Sequence, residues 1–273
     1  MMAKSTFFVI FPPMKKDMPL PPNHTLVETS DGSFTLFSEL FQEACHSTSG
    51  AKTETILHYI EGTHIMAQIE RFEPLTILEV GFGLGVGFLT TWEKLPRNRK
   101  WHFVSLELDR KLLEWFKSNY ADHEFLRNLK WNNNILEAEN ESVKLTILQG
   151  DARMTLPDYL SSHELKWHAI YQDAFSPKKN PTLWTKEWFT LLKTYSHPEV
   201  TLSTYSASSS IRKSLHETGW GVQKGEKFGP KRTSTRAVLN RPTDPEILLQ
   251  LDRSPVNAFT DLHIQETLHK IKE

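Results

Sequence analysis

LEVGFGLGVGF, residues 78–88, decides how the rest of this chain reads. The apolar run from Leu75 to Val80 has the length and Ile/Leu/Val content of a buried parallel strand, and Phe88 to Lys94 can begin a helix. Gly81, Gly83, Gly85 and Gly87 therefore fall at a strand-to-helix turn. Lacking Cβ atoms, such a turn can take positive φ and let a ligand approach the backbone and the helix N-terminus. The stretch points to a nucleotide-bearing cofactor; a tight structural turn in an α/β protein is the alternative.

The spacing separates cofactor classes. A dinucleotide fingerprint requires a third glycine at position 86, which is Val86. Glu79-x-Gly81-x-Gly83-x-Gly85 instead resembles the first motif of class I S-adenosyl-L-methionine (SAM) methyltransferases. That resemblance implies a loop formed by Gly81, Phe82, Gly83 and Gly85 around the methionine part of SAM, with Glu79 orienting its amino group. Downstream, WHFVSLELD (101–109) reads as the next strand, and Glu107 at its end is placed to accept both ribose hydroxyls, with Asp109 as its rival. A later strand, Lys144 to Leu148, runs into Gly150-Asp151-Ala152. There Asp151, beside Ala152, either accepts the adenine exocyclic amine or serves as a turn or helix cap.

At 273 residues, with 38% hydrophobic and 24% charged residues, the chain can bury a sizeable core as one large domain or two smaller ones. A formal charge of −1 excludes a globally basic nucleic-acid coat while leaving local patches open. The single cysteine, Cys45, excludes an intramolecular disulfide and a cysteine-rich metal site. No membrane span or signal peptide is legible, so a cytoplasmic setting is the simpler expectation. His58 and His64, or His163 and His168, lack the i, i+4 spacing of a helical zinc pair, and no metal is expected.

Residues 1–52 read as an N-terminal extension with a short strand at Phe7 to Phe11. Leu26 to Thr29 and Ser33 to Phe37 read as a hairpin around Ser30-Asp31-Gly32, and Ser38 as the start of a helix. Residues 53–240 alternate strands (75–80, 101–107, 144–148, 168–172, 199–205) with helices. This is the pattern of a Rossmann-like α/β domain with a mostly parallel central sheet, as in class I SAM methyltransferases. Lys130 to Ser142 reads as an insertion or long loop, and 241–273 as a C-terminal extension. Ligands on such sheets sit beyond the strand C-termini, where Gly81, Glu107, Asp151 and Asp173 all fall.

The chemistry is expected in YQDAFSPKKNPTLWT, residues 171–185. Asp173 ends a strand, Phe175 and Trp184 offer flat apolar surfaces, and Pro177 and Pro181 stiffen a loop carrying Lys178, Lys179 and Asn180. One acid, aromatics and cations beside a SAM site suit a planar anionic acceptor such as a nucleotide. This segment resembles the DAFxPxKNPxxW signature of the MnmC-type tRNA wobble-uridine methyltransferase domain. FGPKRTSTRA (228–237), TYSASSSIRKSLHETGW (204–220) and GAKTE (50–54) resemble further segments of that family, and the likeness spans about residues 28–238. Two departures stand out: Gln172, where a small apolar residue or leucine is usual, which is expected to alter the pocket floor, and His197-Pro198-Glu199 in a connecting turn.

The resemblance implies methylation of the amine of 5-aminomethyl-(2-thio)uridine in the tRNA anticodon arm. It further implies a stand-alone methyltransferase, without the FAD-dependent oxidase of bifunctional relatives, served by whichever enzymes install the aminomethyl group. Asp173 and Phe175 become the expected catalytic residues, Asp173 orienting the amine and taking its proton unless it only caps the following loop. Pro177, Lys179, Asn180, Trp184, Arg212, Lys231 and Arg232 become expected acceptor contacts. Between Ile170 and Arg241 stand 12 Lys/Arg against 5 Asp/Glu, an excess of seven positive charges in a chain whose total is −1. Such polarity suits RNA phosphates and opposes a polyamine acceptor. A transferase acting on a small amine, including an aminopropyltransferase, and a non-catalytic SAM- or RNA-binding protein are the competing readings.

Overall fold

A computed structural model describes Lys15 and residues 18–227 and 233–264. The strand expected at Phe7 to Phe11 lies outside these residues, as do Lys231 and Arg232.

The chain begins with a small antiparallel sheet of β1 (His24–Glu28), β2 (Phe34–Ser38) and β3 (Glu43–Ala44). The expected hairpin forms, with Gly32 at φ 76° in the turn. No helix starts at Ser38. That residue ends β2, its neighbours turn back, and β2 pairs with β3 through Phe37 and Ala44. Helix α1 (Ala51–Thr55) follows, continuing into a π-helical turn, Ile56–Glu61, and then α2 (Ile65–Gln68).

The hairpin turn caps α1 across the chain. Gly50 has no side chain with which to cap the helix, and Ser33 Oγ instead accepts from the Ala51 and Lys52 amides, while Asp31 Oδ2 accepts from the Thr53 amide and hydroxyl. Burial works against the Asp31 charge, but hydrogen bonds from Ser33, Thr53 and Thr29 outweigh it and hold its carboxyl well below the usual range. Asp31→Ala is expected to cost about 1–2 kcal/mol, the worth of a helix cap, read as a lower melting temperature at pH 7. Because the folded-state value is depressed, this contribution is present above about pH 4 and disappears as the pH falls through the folded value. A melting temperature identical to wild type at pH 7 would contradict the assignment.

The remaining strands are β4 (Leu75–Val80), β5 (Trp101–Glu107), β6 (Lys130–Asn132), β7 (Ile135–Glu139), β8 (Val143–Gln149), β9 (Trp167–Gln172), β10 (Ser196–Thr204), β11 (Gly221–Lys227) and β12 (Thr233–Val238). Among the described residues they form one nine-stranded sheet in the order β11-β12-β10-β9-β4-β5-β8-β7-β6. β10, β9, β4, β5 and β8 run parallel, and antiparallel strands complete both edges. This is the expected mostly parallel, class I methyltransferase architecture. Lys130 to Ser142 is not a loop: β6 and β7 make a hairpin turning at Asn133 (φ 52°) that extends the sheet beyond β8. Its abundant Asn and Glu sit at the turn and on the exposed side, whereas Leu136 and Ala138 are buried.

Helices α3 (Val86–Lys94), α4 (Arg110–Asn119), α5 (Ala152–Ser161), α6 (Lys186–Thr194), α7 (Ser209–Glu217) and α8 (Pro245–Arg253) cover the sheet. Strand side chains alternate between two cores. Ile77, Phe103 and Ile147 face Phe88, Trp92 and Phe116 of α3 and α4. Leu78, Val104 and Ile170 face Leu156, Trp188, Ile211 and Leu215 of α5 to α7. Ile247 and Leu251 of α8 enter that second core, so part of the expected C-terminal extension is built into the main body.

Candidate active site

A cavity of about 610 Å³ opens beyond the C-terminal ends of β4, β5, β8 and β9. Its base is the glycine turn. Gly81 has φ 102°, and a Cβ there would come within 2.7 Å of the Asp173 carbonyl, so the turn between β4 and α3 can pass β9 only with glycine at that place. Gly87 has a different duty. A Cβ on it would lie 1.8 Å from Glu79 Oε1, and its absence lets α3 start against a buried carboxyl.

Glu79 thus supports the loop from beneath. It is 1% exposed, accepts a hydrogen bond from Ser105 Oγ (2.6 Å), and is held well above the usual carboxylate range by burial. Neither Glu79 nor Gly85 lines the cavity, whereas Gly81, Phe82, Gly83, Glu107, Asp151, Ala152 and Asp173 do. The alternation of glycines could not distinguish those that face a ligand from those that face the core.

Glu107 ends β5 at the cavity wall. Its Oε2 accepts from the Gly83 amide (3.0 Å) and its Oε1 from the Asp109 amide (2.9 Å), coupling the glycine turn to the next strand. Burial raises its pKa against the pull of those amides. Asp109, its rival, lines the cavity too, but its carboxylate is committed to capping α4 through the Lys111 and Leu112 amides. Asp151 forms the expected helix cap, one oxygen accepting from the Arg153 amide at the start of α5, and the residue also lines the cavity.

Beside the glycine turn, at the end of the neighbouring strand β9, stands Asp173. Its Oδ1 accepts from the Tyr59 hydroxyl (2.6 Å), and its Oδ2 lies 3.7 Å from His46 Nε2. Burial lifts its pKa well above the usual value although the Tyr59 hydrogen bond opposes the rise. His46 is itself pushed down to about 4 by burial, so it faces Asp173 uncharged at neutral pH. Phe175 lines the cavity, stacked on Phe41 at 4.3 Å, and Asn180 joins them.

Three expected contacts lie elsewhere. Trp184 is fully buried and donates its Nε1–H to the Phe175 carbonyl, holding up the loop from behind. Pro177 is half-buried and Lys179 exposed, both beside the cavity and not on its wall. Arg212 is a correction of another kind. It is 7% exposed, with its guanidinium donating to Thr235 Oγ1 and to the Thr233 and Ser234 carbonyls of β12. A guanidinium so engaged joins α7 to the sheet and does not reach phosphate. Arg212→Ala should therefore cost about 2–4 kcal/mol of stability through orphaned buried acceptors and lost packing. An unshifted melting temperature would reverse this assignment.

The Gln172 side chain does not form the pocket floor. Its amide donates to the Leu183 carbonyl and accepts from Trp188 Nε1, pinning the segment after the loop to the second core. Sequence reasoning missed the opposite wall altogether. Ser38, Leu40, Phe41, Cys45 and His46 come from the N-terminal sheet and its turn, and no motif marks them.

The site fits an adenosine-bearing sulfonium. A Cβ at Gly83 would meet nothing closer than Cys45 Sγ at 3.9 Å, so the turn presents open backbone, while Glu107 faces the same space and Phe82, Leu106 and Leu108 provide apolar wall. No group of three or more His, Cys, Asp or Glu that could hold a metal occurs among the described residues, and no helix among them is long and apolar enough to cross a membrane.

Comparison with known proteins agrees with this geometry. A family model described as S-adenosyl-L-methionine-dependent methyltransferase matches residues 112–240. The tRNA 5-methylaminomethyl-2-thiouridine biosynthesis bifunctional protein MnmC of Paraburkholderia phymatum is 33% identical over 216 residues, 72% of this chain and 32% of that protein. Its namesake from an Azoarcus species is 32% identical over 234 residues, 80% of this chain and 36% of that protein. The chain thus spans about a third of the length of these relatives. The crystal structure of MnmC2 from Aquifex aeolicus superposes with a TM-score of 0.69 at 29% identity, covering 86% of this chain and 77% of that one. Glycine turn, strand-end acids, sheet order and these likenesses together make the chain an MnmC-type, S-adenosyl-L-methionine-dependent methyltransferase domain.

Proposed function

We propose that this domain methylates the amine of 5-aminomethyl-(2-thio)uridine at the tRNA wobble position, yielding 5-methylaminomethyl-(2-thio)uridine. The observation that carries the proposal is the position of Asp173, at the end of β9 beside the glycine turn, on the wall of the cavity that the stacked pair Phe175 and Phe41 also lines. A flat apolar wall beside a buried carboxylate suits an aminomethyl group carried on a planar base.

Gly81, Phe82 and Gly83 would hold the methionine part of SAM, Glu107 its ribose, and Asp151 with Ala152 its adenine. When bound, SAM supplies an electrophilic methyl group to a neutral amine. The protein must deliver that amine unprotonated and aligned, and alignment of this kind is worth roughly 7–11 kcal/mol. Asp173 Oδ2 takes the ammonium proton, which then leaves to solvent, and its raised affinity for protons brings it nearer to a useful base at neutral pH. Phe175 and Asn180 would position the base. Exposed Lys178 and Lys179, together with Lys231 and Arg232, would meet phosphates of the anticodon arm. An aminomethyl-tRNA substrate implies a cytoplasmic setting and prior action of the enzymes that install the amine.

The test is transfer of labelled methyl from SAM to tRNA isolated from cells lacking this activity, followed by nucleoside mass analysis. Conversion of 5-aminomethyluridines to methylaminomethyluridines is expected. SAM binding without transfer to aminomethyl tRNA, but with transfer to a free amine, would favour the small-molecule reading.

A further inference from the structure

Asp173 is held by a residue far away in sequence. Tyr59 belongs to the π-helical turn Ile56–Glu61, is 1% exposed, and places its hydroxyl 2.6 Å from Asp173 Oδ1 across 114 residues of chain. The widened turn is tied down on both sides of this residue. Ser203 of β10 donates to the His58 carbonyl, and Thr63 Oγ1 donates to the Tyr59 carbonyl at 2.6 Å. The ring lies on Tyr171 of β9 with centroids 5.1 Å apart and planes at 25°. A π-helical turn is rare and occurs frequently at functional sites. Here it directs a phenol, fixed by its backbone and its ring face, at one oxygen of the carboxylate beside the glycine turn.

The surroundings give that hydroxyl its importance. Around Asp173 are Glu54 and Tyr59 from α1 and the π-helical turn, Cys45 and His46 from the N-terminal sheet and the turn after it, and Glu79 and Tyr205 near the ends of β4 and β10, with Glu43 and Glu107 close to Cys45. The setting is acidic and enclosed, and His46 stands beyond direct hydrogen-bond reach of Oδ2. A donor to Oδ1 both fixes the carboxylate plane and favours its charged form, leaving Oδ2 for the substrate.

We propose that Tyr59 is the positioning residue of Asp173: its O–H anchors Oδ1 so that Oδ2 is presented to the acceptor amine in its proton-accepting form. The inference rests on the role given to Asp173 under the proposed function. Tyr59 touches neither reacting atom and acts through the carboxylate.

Tyr59→Phe removes the oxygen and keeps the ring on Tyr171. In the cofactor-free protein, carbon-13 NMR titration of the Asp173 carboxyl, assigned with Asp173→Asn, should show its midpoint rising by about one to two pH units, the size expected for losing one charge-assisted hydrogen bond. Methyl transfer should fall roughly 10- to 100-fold in kcat with SAM affinity within about twofold, and the acid limb of the pH–rate profile should move to higher pH. Incorporation of 3-fluorotyrosine at position 59 preserves the ring and makes the hydroxyl a stronger donor, so the midpoint should move down; this arm also serves if Tyr59→Phe does not fold. A midpoint unmoved in either variant, or SAM affinity falling in step with rate, would overturn the inference. The titration needs no acceptor, so a wild-type enzyme inactive on tRNA would overturn only the substrate reading.

Discussion

Asp173→Asn should reduce methyl transfer by a factor on the order of 10² to 10⁴ while leaving SAM affinity within about twofold. Asparagine keeps the shape of the side chain and an oxygen able to accept from Tyr59, so the cavity should survive the change. What disappears is an acceptor for the ammonium proton. For the wild type, burial among acidic neighbours raises the Asp173 pKa, so activity should fall on the acid side at a pH above the range of an ordinary surface carboxylate. In the variant, rate should instead keep rising with pH, because the amine must lose its proton to water unaided. Single-turnover rates from about pH 6 to 9, measured with saturating SAM, distinguish the two profiles. A variant retaining half the wild-type rate would reduce Asp173 to a cap on the loop that follows it.

The second large effect belongs to the cofactor half of the cavity. Glu107→Ala should raise the SAM dissociation constant on the order of 100-fold, about 2.7 kcal/mol, because it removes the carboxylate proposed to hold the ribose and the acceptor that holds the Gly83 amide. At saturating SAM the rate should remain within about fivefold of wild type. Asp109→Ala is the matched control. It loses the α4 cap, costing roughly 1 kcal/mol of stability, while SAM affinity should be nearly unchanged. Isothermal titration with SAM and thermal melts of both variants give the answer, and equal affinity for wild type and Glu107→Ala would remove the ribose assignment.

Which residues would be found by reading alone follows from what each signal measures. Leu75 to Val80 and Trp101 to Glu107 were legible to the residue because strands buried on both faces are continuous apolar runs. The hairpin at β6 and β7 was not, since a two-stranded edge with one exposed face shows little hydrophobicity and its Asn-rich turn resembles a loop. Arg212 and Trp184 were misplaced for a related reason. A basic residue in a positive segment and an aromatic in a motif give no indication of which way they point, and both turn inward to satisfy backbone carbonyls.

From its order of residues alone, this chain determined a parallel α/β sheet, a glycine turn after β4, and acids at the ends of β5, β8 and β9, because periodicity and turn chemistry are local properties. Tertiary structure decided which of those residues share a cavity. Phe41, His46 and Tyr59 reach Phe175 and Asp173 only because the N-terminal sheet and the π-helical turn pack against the strand ends, bringing together side chains more than a hundred residues apart. Contacts of that range leave no period in a sequence. They arise where the sheet twist and helix packing bring surfaces into register, and in this protein they complete the wall against which the acceptor would lie.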